Sequence, residues 1–247
     1  MTGERVSRRD FLVFGGILGS LFGWIPFLRP SHVSLAGARF RIIRKGHSNR
    51  RYVVIHGDEQ TARQALRRLM QSQEGAAFEI ENQSRNVPIA GGRIDPNRMF
   101  SRAGAEADLK KLNPDWTRAQ IGAALDLLDR GRARLIHALL PPRGGLLVAL
   151  HNNTGEYSVA DEESLSDRGF VPRPDHPHAF YLCTDPADYQ VLAASGYNIV
   201  LQQHGPEDGS LSRLCATRGV RYVNVETARG DLTTQVDMLN WLEWKLA

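Results

Sequence analysis

Apolar residues recur along this chain in two rhythms. Short β-branched or apolar runs at residues 40–44, 52–55, 77–81, 146–150, 180–183, 197–201 and 222–225 read as strands, most of them bounded by turn-forming residues. Between several of them the apolar positions fall three and four apart. Ala62, Ala65, Leu66, Leu69 and Met70 mark a helix over 61–73, and a second is expected over 117–131, capped by Asp115 or Thr117 and ended by Gly131. Further helices are expected over 186–194 and 209–218, and Val236, Leu239, Trp241 and Leu242 give the closing helix, 233–246, its core face. The run 146–150 is apolar throughout, as expected of a central strand covered on both faces. Two stretches resist both rhythms. Residues 82–102, rich in Asn, Gly, Arg and Pro, are too long to be mere connection and read as a binding loop, and 156–177 as a lid or exposed crossover. The alternation predicts a single α/β domain, with a mixed, mostly parallel sheet flanked by helices.

Composition narrows the class little. With 247 residues, 42% hydrophobic and 23% charged, the chain has room for one large core and is neither disordered nor fibrous. Its net charge of +4 is partly local, because Arg5, Arg8, Arg9 and Arg29 fall in the first 38 residues against only Glu4 and Asp10. The remainder is close to neutral, so no nucleic-acid partner is indicated. Cys183 and Cys215 lie far apart and read as one disulfide or two buried thiols, the second favoured because nothing in the spacing reads as a metal knuckle.

The N-terminus carries an address. Ser7-Arg8-Arg9-Asp10-Phe11-Leu12 leads into an uncharged apolar run over 11–28, followed by Leu35-Ala36-Gly37-Ala38. This resembles a twin-arginine signal with a small-residue cleavage site after Ala38. It implies a signal peptide at 1–38, a mature domain at 39–247, engagement with the twin-arginine export machinery and a periplasmic or other extracytoplasmic location. The run is also about the minimum length of a membrane-spanning helix, so an uncleaved segment would hold the chain to the membrane at that point alone.

The candidate chemistry sits at strand ends. His56 and Glu59 follow the strand at 52–55 across a Gly turn, His151 follows the strand at 146–150, and Glu226 ends the strand at 222–225. Two imidazoles and a carboxylate form the usual protein set of a catalytic zinc ion, with the fourth position left for water. A further carboxylate, Glu226, then serves as general base.

In this order the motifs resemble the zinc carboxypeptidases of the carboxypeptidase A type and their shorter relatives, the succinylglutamate desuccinylases and aspartoacylases. The residues are H-G-x-E at 56–59, D-x-N-R at 95–98, His151 and Glu226. The resemblance implies a zinc carboxypeptidase-like fold with one zinc ion held by His56, Glu59 and His151. It implies that Glu226 is catalytic, that Asn97 and Arg98 hold the substrate's free carboxylate, and that a second arginine, Arg85 or Arg93, polarises the scissile carbonyl. Tyr197 is the nearest tyrosine by order for closing over the substrate.

The expected activity is hydrolysis of an amide bond next to a free carboxylate, in a peptide or an acyl-amino acid. Location makes the peptide stems of the cell wall an abundant substrate for a carboxypeptidase. The short ligand spacing favours a deacylase of N-acyl amino acids, and a non-catalytic binding protein on the same fold is the third alternative. Of the other histidines, His176 and His178 read as loop residues, His137 as a core residue, and His204 as a weak candidate for the site.

Overall fold

The structure, a computed structural model, describes residues 31–155 and 157–246. The twin-arginine motif and the apolar run after it lie outside the described residues. The strands are β1 (His32–Leu35), β2 (Ala38–Lys45), β3 (Arg51–Val54), β4 (Gly75–Ile80), β5 (Val87–Ile89), β6 (Gly92–Ile94), β7 (Leu146–Asn153), β8 (Arg168–Phe170), β9 (Phe180–Cys183), β10 (Asn198–Leu201) and β11 (Arg221–Ala228). The helices are α1 (Gln60–Ser72), α2 (Arg102–Leu112), α3 (Arg118–Leu139), α4 (Val159–Glu163), α5 (Pro186–Ala193), α6 (Leu211–Arg218) and α7 (Leu232–Lys245).

Nine strands form one mixed sheet in the order β1-β2-β4-β3-β7-β11-β9-β10-β8, and β5 and β6 make a separate hairpin. The centre, β4-β3-β7-β11, is parallel, and antiparallel strands are added toward both edges. Both faces are covered, which is why β4, β7, β9 and β10 are buried at every position and carry no polar alternation. Leu66, Leu69, Tyr189, Leu192, Leu239 and Leu242 bring α1, α5 and α7 onto one face. Leu109, Leu125, Leu128, Leu135 and Leu214 bring α2, α3 and α6 onto the other. The architecture is the single α/β domain expected from the sequence.

Several boundaries differ from the expectation. Thr117 does cap α3, in a reciprocal pair with Gln120, but the helix runs through Gly131 to Leu139. One glycine inside an otherwise good helix costs only about 1 kcal/mol, less than the burial of Leu135, Ile136 and Leu139 returns. His137 is exposed on that helix rather than a core residue. The stretch 82–102 is not a bare loop but holds the β5–β6 hairpin and a 3-10 turn at Pro96–Arg98. Strand β1 lies before the expected domain start at residue 39. The expected cleavage segment, 35–38, holds the last residue of β1, a turn at residues 36 and 37, and the first residue of β2, with Leu35 and Ala38 paired and buried. Of the two readings of Cys183 and Cys215, the structure has buried free thiols and no disulfide between them.

Candidate metal centre

From β3 the chain leaves through α1 to β4 on one side, and it reaches β7 on the other side by way of α2 and α3 on the opposite face. Beyond the carboxyl ends of β3 and β7 this leaves the crevice expected where the winding of an open sheet reverses. His56 lies two residues past β3, and Gly57 then turns the chain. A Cβ on Gly57 would stand 2.2 Å from the Asn82 carbonyl oxygen, so the turn admits no side chain. Glu59 occupies the N-cap position of α1 without capping it, and its carboxylate points back to the histidines. The Ala62 N–H is satisfied instead by Asn152 Oδ1 at 2.7 Å.

His56, Glu59 and His151 are each buried and together form a cluster able to hold a metal ion. His56 Nδ1 lies 2.8 Å from Glu59 Oε1 and 3.2 Å from His151 Nδ1, and His151 Nδ1 lies 3.3 Å from Glu59 Oε2. Tetrahedral coordination with bonds of about 2.0–2.1 Å separates ligand atoms by about 3.3 Å, so the two imidazole nitrogens and the Glu59 carboxylate stand at the spacing of one coordination sphere. Glu59 Oε2 is buried without a hydrogen-bond partner, which is costly unless a cation meets it. The far side of His56 is fixed by Asp95, whose Oδ1 accepts from Nε2 at 2.9 Å and so leaves Nδ1 free to face the other two ligands.

Charge in this cluster is strongly coupled. Burial lowers the His56 imidazole, but Glu59 and Asp95 outweigh it and raise it to about 9. Burial raises Glu59, yet the two histidines hold it well below the ordinary carboxylate range. Asp95 is raised by burial and lowered more by His56, Arg85 and the Asn97 N–H, to about 2.

Glu226 pairs with His151 in the parallel register of β11 and β7, which places both side chains on one face of the sheet. Its carboxylate is buried and accepts from Asn153 Nδ2 at 3.2 Å and Asn224 Nδ2 at 3.1 Å. Burial pushes its pKa up, and Glu59 adds to the rise, against His151 and the two amides. Both histidine and carboxylate line a cleft of about 540 Å³, together with Glu59, Asn97, Arg98, Arg85 and Tyr157.

Asn97 Oδ1 accepts from the Leu211 N–H at 3.0 Å, tying the 3-10 turn to the start of α6. Arg98 pairs with Asp208 at 3.5 Å and not with Asp95, and its side chain stays about one-third exposed toward the cleft. Arg85 lies 3.2 Å from Glu59 Oε1 and 3.5 Å from Asp95 Oδ2. Between the two arginines read as carbonyl-polarising, Arg85 is therefore at the site. Arg93 lies on the β6 hairpin and reaches the Leu112 carbonyl.

Tyr197, the tyrosine expected by order to close over the substrate, does not lie at the cleft. It precedes β10, its ring meets Tyr181 edge-on at 6.1 Å with the Arg173 guanidinium 4.8 Å over it, and it does not line the cleft. The tyrosine that does is Tyr157, whose hydroxyl donates to Glu162 Oε1 at 2.5 Å. Its position within an irregular stretch gave no periodicity to place it. His204 is also outside the cleft, exposed and paired with Asp167 at 2.8 Å. Asn153 and Asn224 had a readable signal, since each lies two residues from a site residue along the same strand and so shares its face.

No family model and no curated protein matches the chain. Among solved structures it is similar to a succinylglutamate desuccinylase/aspartoacylase from Rhodobacter sphaeroides, at 15% identity over 84% of this chain and 59% of that one, with a TM-score of 0.45. It is similar also to the ectoine utilization protein EutE (DoeB) from Ruegeria pomeroyi, at 16% identity over 83% and 59%, with a TM-score of 0.42. An N-formylglutamate amidohydrolase from Ralstonia eutropha JMP134 aligns at 12% identity over 83% and 97%, with a TM-score of 0.38. The chain spans about three-fifths of the length of the first two.

Proposed function

We propose that this chain is an exported zinc-dependent hydrolase that cleaves an amide bond next to a free carboxylate. The observation that carries the reading is the buried triangle of His56 Nδ1, Glu59 and His151 Nδ1, with edges of 2.8–3.3 Å, opening on a cleft that also holds Glu226. Two imidazole nitrogens and a carboxylate suit zinc, and three protein ligands leave the open position of a catalytic site. A zinc ion held there supplies a Lewis acid and brings the pKa of water down to about 7. Glu226, raised by burial and oriented by Asn153 and Asn224, takes the proton of attacking water and returns it to the leaving amine. The Arg98 guanidinium offers a planar fork for the substrate carboxylate, with Asn97 holding the turn that carries it. Arg85, at the Glu59 edge of the cleft, polarises the carbonyl oxygen in this reading, which its 3.2 Å contact with Glu59 Oε1 supports.

Export rests on the twin-arginine motif, and cell-wall peptides enter only as substrates abundant in that compartment. The cleft volume favours a second reading, in which the substrate is an N-acyl amino acid, because about 540 Å³ falls within the range of small-ligand sites, about 300–1,000 Å³. Both readings share one chemistry. The test is hydrolysis of N-acyl amino acids and of short peptides by zinc-loaded protein, beside Glu226→Gln and Arg98→Ala. Glu226→Gln is expected to keep its metal and lose about 10²-fold or more in kcat. Arg98→Ala is expected to raise KM chiefly for substrates with a free carboxylate. Turnover of neither substrate class, or full activity in Glu226→Gln, would overturn the proposal and favour a binding protein.

A further inference from the structure

The metal cleft does not end at Glu226. Asn224 lies two residues before it on the same face of β11, and the register runs on from Asn224 to Leu182 on β9 and Val200 on β10. Gln202, just past β10, continues that face. Asn224, Leu182 and Gln202 all line the cleft of about 540 Å³, so the cavity extends sideways across three strands. Glu162 of α4, which packs against β10, and Ser212 of α6 complete the lining of this side chamber.

The chamber holds acceptors that the protein itself does not use. A carboxylate only accepts, so Asn224 must aim Nδ2 at Glu226 and turn Oδ1 away from it. That oxygen is buried without a hydrogen-bond partner, on a side chain only 7% exposed. A buried carbonyl left unmet is costly, which points to a donor brought by a ligand. Glu162 accepts from the Tyr157 hydroxyl and from Gln202 Nε2, both neutral, and among the described residues it has no ion pair. Arg213, also in the lining, is buried and donates to the carbonyls of His204 and Leu165, so it braces two loops. The chamber also adjoins the turn that bears Arg98. Asn97 takes the Leu211 N–H at 3.0 Å and Arg98 pairs with Asp208, which sets that turn against the start of α6.

We infer that this side chamber is a subsite for an ammonium-bearing side chain, met by the Glu162 carboxylate and Asn224 Oδ1, so that the amino acid released by the proposed hydrolysis is a diamino acid such as lysine or ornithine. The inference rests on the hydrolase reading for which part of the substrate enters, with the α-carboxylate at Arg98. An ammonium has three donors and no acceptor, which matches a chamber left with a carboxylate and an amide oxygen. A methyl group in its place leaves both unmet, and a carboxylate there is repelled by Glu162. Sites built on hydrogen bonds discriminate in this way.

The test is calorimetric binding of free amino acids to the zinc-loaded full chain, with hydrolysis of their Nα-acetyl derivatives measured beside it. L-Lysine and L-ornithine are expected to bind about tenfold or more tighter than L-norleucine, L-norvaline and L-glutamate. Glu162→Gln is expected to bring the ratio of lysine to norleucine binding close to one, with circular dichroism reporting its fold. The wild-type ratio is a test in its own right if that variant does not fold. Equal binding of lysine and norleucine, tighter binding of glutamate, or an unchanged ratio in folded Glu162→Gln overturns the inference. Preferential lysine binding without turnover of any derivative would contradict the hydrolase and support the subsite. Turnover with no preference would contradict the subsite alone.

Discussion

His56 Nε2 and Asp95 Oδ1 are joined by a 2.9 Å hydrogen bond that turns Nδ1 of the same ring toward Glu59 and His151. The carboxylate comes from the start of the 3-10 turn that also bears Asn97 and Arg98, so metal ligand and substrate-binding turn are mechanically linked. Asp95→Asn keeps the shape but loses the charge that raises the basicity of the ring. It is expected to weaken zinc affinity about 10–100-fold, measured by competition with a chelator, while the apo fold stays intact.

Metal binding should release a proton. His56 in the metal-free protein is raised to about 9 by Glu59 and Asp95 against burial, so at neutral pH the ring is protonated and zinc must displace that proton. Apparent affinity is expected to rise about tenfold per pH unit on approaching pH 9 and to level off above it, in titrations at several pH values. The raised pKa has the opposite consequence for the metal-free fold. Its contribution is fully present below 6.5 and is lost as pH rises through about 9.

Acid stability is expected to depend on Glu79. Its buried carboxylate receives Arg41, Arg63 and Arg67 at 2.6–3.0 Å from strand and helix. Burial raises its pKa and the arginines lower it further than that, for a net fall below 4.5. A depressed carboxylate contributes stability above its unfolded value of 4.5 and loses it as pH falls through the folded one. Glu79→Gln should therefore cost about 3 kcal/mol at neutral pH and flatten the acid limb of a denaturation series.

A chain beginning at residue 39 should be weaker than one beginning at 31. Without β1, the buried Val33 and Leu35 side chains are lost and the edge of β2 is left unpaired. About 3 kcal/mol or more of burial goes with them, which urea unfolding of the two chains would detect. Equal midpoints would show that β1 contributes nothing to the core.

Much of this was legible in the sequence because the informative residues obey a local rule. The strand at 146–150 is apolar on both faces, and the H-G-x-E turn follows a β-branched run, so ligands and sheet come from neighbouring residues. Glu226 and His151 read as strand ends, yet both lie inside longer strands, β11 and β7, each of which continues two residues past them. What remained hidden depends on tertiary placement. Tyr157 faces the cleft from an irregular segment with no period, while Tyr197 comes at a plausible place in order but points into the opposite core. Strand β1 is not legible in the sequence, because four residues beside a small-residue motif look like the end of a signal and only pairing with β2 makes them a strand.

The measurement that bears most directly on the metal centre is elemental analysis of the purified full chain after zinc loading, with His56→Ala treated identically. Close to one zinc per chain, absent from His56→Ala while its fold is retained, is the expected result. No metal in the wild-type chain, or the same metal in both proteins, would contradict the assignment of His56, Glu59 and His151 as its ligands.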